Sequence, residues 1–183
     1  VTDRPGARER ILAAAATLFT RQGINATGMD QLSATATASK RTVYTHFRTK
    51  DDLVLAYLAE ARPTPEQALD RTDRPARERL LAIFEPRADG DDPRRGCPFL
   101  NAAVEVPDPD APAHAFARQH KVEFARRLTE TAREAGARDP ETLGEQLALL
   151  YDGAAGRAVV MNSPAPGARA REIAELLIDA QLR

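Results

Sequence analysis

Apolar residues along this chain recur three and four positions apart and almost never alternate, which is the period of helices rather than strands. Ile11, Ala15, Leu18 and Phe19 mark a first helix over 5–22, with Pro5 suited to its first turn and Gly23 to its C-terminal cap. Leu32 and Ala36 share the inner side of a short second helix, about 28–35, for which Thr27 is the predicted cap. After a break near Thr37-Ala38, Ser39 caps a third helix, about 40–47, whose apolar stripe is only Val43 and Phe47. Thr49 or Lys50 opens a fourth, with Leu53, Ala56, Tyr57 and Leu58 apolar, and Pro63-Thr64-Pro65 either breaks the chain or starts a new helix. Further helices are predicted over 75–86, 97–106, 112–136, 141–160 and 169–182. The loop 88–96 and the linker 162–168 are read from their Gly, Pro and polar content. The predicted class is all-α, with about nine helices.

Charge changes this picture more than composition does. The net charge of −1 hides a split. Residues 1–50 carry eight Lys and Arg against three acids, whereas the remainder carries 18 against 24. Such asymmetry points to a polyanionic partner for the N-terminal part. Cys97 is the single cysteine, which excludes an intrachain disulfide and fits a reducing compartment. The opening VTDRPGARER lacks the apolar stretch of a secretory signal, and no run approaches the roughly 20 apolar residues that span a bilayer. The expectation is a cytoplasmic protein with no membrane partner.

The third predicted helix, within SKRTVYTHFRTK, is basic and thinly apolar for a reason. At about 100° per residue, Val43 and Phe47 face inward and Arg41 and Thr45 lie opposite. Lys40, Thr42 and Tyr44 flank that outer side, with His46 at its edge. Cations, hydroxyls and a phenol on one side suit phosphate oxygens and base edges. Thr27 and Lys50, each at a helix start, are placed for phosphate contacts. The bland alternative is a solvated helix in an ordinary bundle; the turn, the caps and the charge split together favour a helix-turn-helix.

Residues 9–53 resemble the DNA-binding domain of the tetracycline-repressor-like (TetR) family of transcriptional regulators. The stretches carrying the resemblance are RERILAAAATLFTRQG, TGMDQLS at 27–33, and SKRTVYTHFRTKDDL at 39–53, with the spacing Tyr44…Phe47…Lys50…Leu53. The resemblance implies a homodimer with a DNA-binding domain, 1–50, and a helical domain, 51–183, that binds a small ligand and dimerises. Carried over by position, Thr27, Lys40, Arg41, Thr42, Tyr44, Thr45, His46 and Lys50 contact double-stranded DNA. Thr42, Tyr44 and Lys50 are assigned mainly to the backbone, and Lys40, Arg41 and Thr45 to bases. Thr37 stands in the turn where the family usually carries glycine; if a left-handed backbone is needed there, threonine adopts it at a cost.

RRGCPFLNAAVEV, the long helix after it, and LALLYDGAAGRAVV are similar to one branch of the same family, which implies a ligand cavity among the helices near 75–86, 97–106, 112–136 and 141–160. The candidate lining residues are Phe84, Cys97, Phe99, Leu100, Asn101, Phe116, His120, Phe124 and Tyr151. Core packing is the commoner role for such Phe and Leu residues, and Cys97 reads first as a small buried apolar group. His114 and His120 lie about 120° apart on a helix, so they are not an i, i+4 metal pair, and neither a metal nor another cofactor is expected. No Ser/His/Asp or Cys/His spacing suggests catalysis. Glu105, Asp108 and Asp110 sit beside prolines and are read as solvated loop acids. Gly153-Ala-Ala-Gly156 is read as a close-packing surface. With Leu147, Leu150, Tyr151, Ala154 and Ala155, and with Ile173, Leu176 and Leu177 of the last helix, it forms the expected dimer face. A two-fold dimer sets two reading helices about 34 Å apart on a palindromic operator. The leading expectation is a ligand-released repressor. A helical carrier or enzyme and a DNA-packing protein without sequence preference are the alternatives.

Overall fold

The computed structural model describes residues 5–61, 64–85 and 96–183. Among them are nine α-helices, one 3₁₀ helix and no strand. The helices are α1 Ala7–Gln22, α2 Met29–Thr35, α3 Lys40–His46, α4 Lys50–Glu60, α5 Ala76–Ala82, α6 Pro98–Glu105, α7 Pro112–Glu134, α8 Pro140–Met161 and α9 Ala165–Leu182, with the 3₁₀ helix Thr64–Asp70 between α4 and α5. They form two compact units. One holds the residues up to Ala61 together with Pro98–Arg118; the other holds the rest, so α7 is shared between the two. These packing units do not follow a single cut after residue 50, because α4 buries Leu53, Val54 and Leu58 within the first unit. Tyr57 of α4 meets Phe19 of α1 edge-on, with centroids 5.3 Å apart.

In the first unit, α1 buries Ile11, Leu12, Ala14, Ala15, Leu18 and Phe19, the predicted stripe and two neighbours. Its start lies two residues beyond Pro5: the Glu9 carboxylate accepts the Gly6 N–H at 2.9 Å, satisfying a donor the helix cannot. Gly23, at φ +95°, ends it. Against α1 pack Leu32 and Ala36 of the α2 segment, and Val43 and Phe47 of the α3 segment, all buried. Thr49 and Asp52 reciprocally cap α4, each side chain accepting the other's N–H at 3.0 Å. Glu105 ends α6 and is not a solvated loop acid. Its carboxylate accepts the Asn25 N–H at 2.7 Å and its carbonyl accepts Asn25 Nδ2 at 3.0 Å, tying α6 to the α1–α2 loop.

The second unit gathers Leu80, Leu81, Ile83, Phe84, Phe124, Leu128, Leu143, Leu147, Ala174 and Ile178 into one core. Gly144 sets the approach of α8 to α7: a Cβ there falls 2.2 Å from Thr129 Oγ1 and 2.8 Å from its Cα. Asp139 caps α8 by accepting the Thr142 N–H at 3.1 Å, and hydrogen bonding from the Thr142 side chain first, then from that N–H, lowers the Asp139 pKa. The Asp139 N–H in turn reaches Gln181 Oε1 of α9 at 3.1 Å. α9 begins at Ala165, four residues ahead of the predicted start, so the linker is shorter than its Pro and Gly content suggested. Prolines fit a first helical turn, where their missing N–H costs nothing, and Pro166 sits in that turn. Residues 88–95 of the predicted loop 88–96, and Pro63, lie outside the described residues.

Candidate nucleic-acid interface

Three local devices build α3 and aim it. Ser39 Oγ accepts the Thr42 N–H at 3.0 Å, as a helix cap does. Upstream, α2 ends in a left-handed residue: Thr37 has φ +50°, its N–H bonds the Ala34 carbonyl at 3.1 Å, and the Ala38 N–H bonds the Ser33 carbonyl at 3.0 Å. Below, Phe47 sits under the Arg8 guanidinium, 5.7 Å from the ring centroid, while Arg8 also pairs with Glu60 at 2.8 Å. Arg10 donates to the Ala36 carbonyl at 3.3 Å and to that of Pro5 at 2.7 Å. Two of the N-terminal cations are therefore engaged in holding the motif together, which a bare charge count cannot show.

With Val43 and Phe47 buried, the rest of α3 turns outward. Lys40, Arg41, Tyr44, Thr45 and His46 are exposed, and Thr42 and Lys50 are half-buried. Tyr44 leaves 48% of its surface in solvent, much for so large a ring. The Thr45 hydroxyl donates to the Arg41 carbonyl at 2.8 Å, leaving its lone pairs and methyl outward. Lys40 is paired with Asp30 at 2.6 Å, and that hydrogen bond and charge raise its pKa. A phosphate or base contact from Lys40 therefore first exchanges a surface ion pair, a small cost. Arg48, outside the expected set, is exposed directly after α3.

Thr27 departs from its expected place. It is 1% exposed, and its hydroxyl donates to the Gly23 carbonyl at 2.7 Å. It does not cap α2 either; Gly28 does, with no side-chain bond. Four residues separate Thr27 from the end of α1, so its hydroxyl satisfies a terminal carbonyl at close range instead of facing solvent.

The candidate effector residues fall in both units. Phe99, Leu100, Asn101 and Phe116 belong to the first, where Phe99 and Phe116 stack with centroids 6.4 Å apart. Phe84, Cys97, His120, Phe124 and Tyr151 belong to the second. There Tyr151 meets Phe124 at 5.0 Å and Phe84 at 6.2 Å. Of the expected dimer face, Leu147 is fully buried in the second unit's own core. Leu150, Ala154 and Ile173 line a groove of about 620 Å³ between α8 and α9, together with Leu149, Met161 and Pro166. Leu149, Val160, Met161 and Leu176 are large apolar residues left exposed; helical period alone does not say which of several apolar stripes faces inward. A Cβ at Gly153 or Gly156 meets nothing within 4 Å among the described residues.

Residues 11–57 match the family of bacterial regulatory proteins described as the tetR family, and residues 76–174 match the tetracyclin repressor-like C-terminal domain. The chain belongs to the TetR family. It is a TetR-family DNA-binding transcriptional regulator, and both of its matched regions are helical. A TetR transcriptional regulator from Streptomyces avermitilis is 32% identical, over 97% of this chain and 98% of its own, at a TM-score of 0.78. A TetR-family transcriptional regulator from Streptomyces coelicolor is 33% identical, over 97% of this chain and 90% of its own, at a TM-score of 0.85. The reduced form of NemR from E. coli, 21% identical over 94% and 97% of the two chains, shares the fold at a TM-score of 0.80. No functionally curated protein matches the chain. No described helix of this TetR-family member is long and apolar enough to cross a membrane.

Proposed function

We propose that this regulator is a cytoplasmic homodimeric repressor that leaves a palindromic operator when a small molecule binds its helical second unit. One observation carries the DNA-facing part. α3 buries Val43 and Phe47 and leaves Arg41, Tyr44 and Thr45 exposed on a motif held by Ser39 and Arg10. Arg41, Thr45 and Lys40 read bases. Tyr44, Thr42, His46 and Lys50 hold the phosphate backbone and set register. Thr27 is no part of this set.

The α8–α9 face is the proposed dimer seam. Its exposed apolar residues and its two open glycines leave room for another helix pair to approach closely. The two-fold axis then places two copies of α3 about one DNA turn apart. An effector acts only through its differential affinity for the DNA-bound and released arrangements.

The test is gel retardation of a palindrome from the chain's own promoter. Binding falls steeply with salt, because each neutralised phosphate releases counterion. Tyr44→Ala combined with Lys50→Ala abolishes retardation and leaves the dimer intact by sedimentation; normal binding by that double variant overturns the assignment. A protein that retards random and palindromic duplexes equally is a packing protein instead.

A further inference from the structure

The second unit encloses an acid that the DNA-binding reading does not use. Glu66, on the 3₁₀ helix, has a side chain only 3% exposed. Its Oε2 lies 2.9 Å from His120 Nε2, a charge pair only while the imidazole is protonated. Its Oε1 is fully enclosed and accepts no hydrogen bond among the described residues. A buried carboxylate oxygen without a donor costs free energy that the fold does not recover by itself.

The neighbours define what can fill that gap. Lys121 follows His120 on α7, and its Nζ bonds Asp152 of α8 at 2.5 Å. Nζ lies 5.8 Å from the Phe124 centroid and 5.7 Å from that of Tyr151, within cation–π range of both. Burial disfavours the Lys121 ammonium, yet the bond to Asp152 and the nearby acidic groups outweigh it and raise its pKa. The cluster thus already places one cation over aromatic faces. Its lysine is committed to Asp152, while Glu66 keeps an open acceptor. An anionic ligand at Oε1 meets an acceptor rather than a donor, and the Lys121 cation is already paired with Asp152. A ligand with an ammonium head supplies the missing donor to Oε1 through a charge-assisted bond, and an aromatic or apolar body suits Phe124 and Tyr151.

The geometry points to Glu66 as the anchor of an effector site that takes small aromatic or apolar amines, with His120 against its carboxylate and the Lys121–Asp152 pair set over the rings of Phe124 and Tyr151 in the same unit. This deepens the reading of the chain as a ligand-released regulator and rests on it for the consequence of binding, though not for the binding itself.

Thermal shift of the wild-type chain with a matched set of probes tests it: 4-phenylbutylamine, 4-phenylbutanol and 4-phenylbutyrate at neutral pH. The amine raises Tm in proportion to the logarithm of its concentration. The alcohol and the acid bind about tenfold more weakly or worse, the factor expected for a hydrogen bond to a charged group. Glu66→Gln, checked for helicity by circular dichroism, loses the preference for the amine. Equal shifts by the three probes, no shift by the amine, or a preference for the acid overturns the proposal. So does a folded Glu66→Gln protein that still prefers the amine. If that variant does not fold, the wild-type ranking decides alone. Retardation of the promoter palindrome without probe, on the same preparation, tests the regulator reading separately. An amine-selective protein that ignores DNA sinks that reading and keeps the site. A DNA-binding protein indifferent to the amine does the reverse.

Discussion

Thr37 holds φ at +50° in the turn before α3. That region is costly for β-branched residues, and Thr37→Gly is the perturbation that measures the cost. Its side chain is exposed, so no buried contact is lost, and the backbone bond from its N–H to the Ala34 carbonyl does not depend on the side chain. A left-handed residue costs about 1–2 kcal/mol relative to the right-handed region. Glycine loses about 0.5–1 kcal/mol of that advantage through its freer unfolded chain. The net gain is about 0.5–1 kcal/mol. A chain of this size gains about 2–4 °C of Tm per kcal/mol, so the expected rise is about 1–4 °C. Differential scanning calorimetry at neutral pH reads it. Asn162, at φ +46°, is the internal control. Asparagine tolerates this region far better, so Asn162→Gly gains less. Operator retardation by Thr37→Gly stays at the wild-type level, because the turn already has the shape glycine prefers. A Thr37→Gly protein that melts at or below wild type, or an Asn162→Gly protein that gains as much, refutes the reasoning.

Gly144→Ala forces a Cβ against the Thr129 backbone as well as its hydroxyl, so relief needs α7 to move; urea denaturation registers a loss of about 1–3 kcal/mol. Asp139→Asn removes the charge of the α8 cap but keeps its oxygen. The folded pKa of Asp139 is depressed by its bond from Thr142, so its charge stabilises the fold above the unfolded value near 3.9 and that contribution fades as pH falls through the folded pKa. The Tm gap between wild type and Asp139→Asn is therefore present at pH 6 and closes below about pH 4. Leu149→Glu with Leu176→Glu changes only surface positions of the protomer, so the helical spectrum is kept while sedimentation shifts from dimer to monomer; an unchanged dimer places the seam elsewhere.

How much was legible depended on the range of the interaction. Val43 and Phe47 sit four apart, and Ser39 reaches an N–H three residues on, so the inward stripe, the cap and the outward set of α3 could all be read from neighbouring letters. Thr49 opening α4 is the same kind of signal. Thr27 was misread because a threonine ahead of a helix has two local uses, capping forward or bonding back, and its burial within the α1–α2 loop goes with the second. The start of α9 was misread because prolines and a glycine mark loops by composition yet fit a first turn.

Periodicity, caps and the charge split were enough by themselves to determine an all-helical chain with a basic, outward-facing short helix near its N-terminus, since each is set within a turn or two of backbone. Only the tertiary structure decided that Leu147 is core while Leu149 faces outward, that Glu105 holds Asn25, and that Glu66 meets His120 inside the second unit. Those pairings join residues far apart in the chain. Their energies depend on burial and approach distance, and no local pattern of residues encodes either.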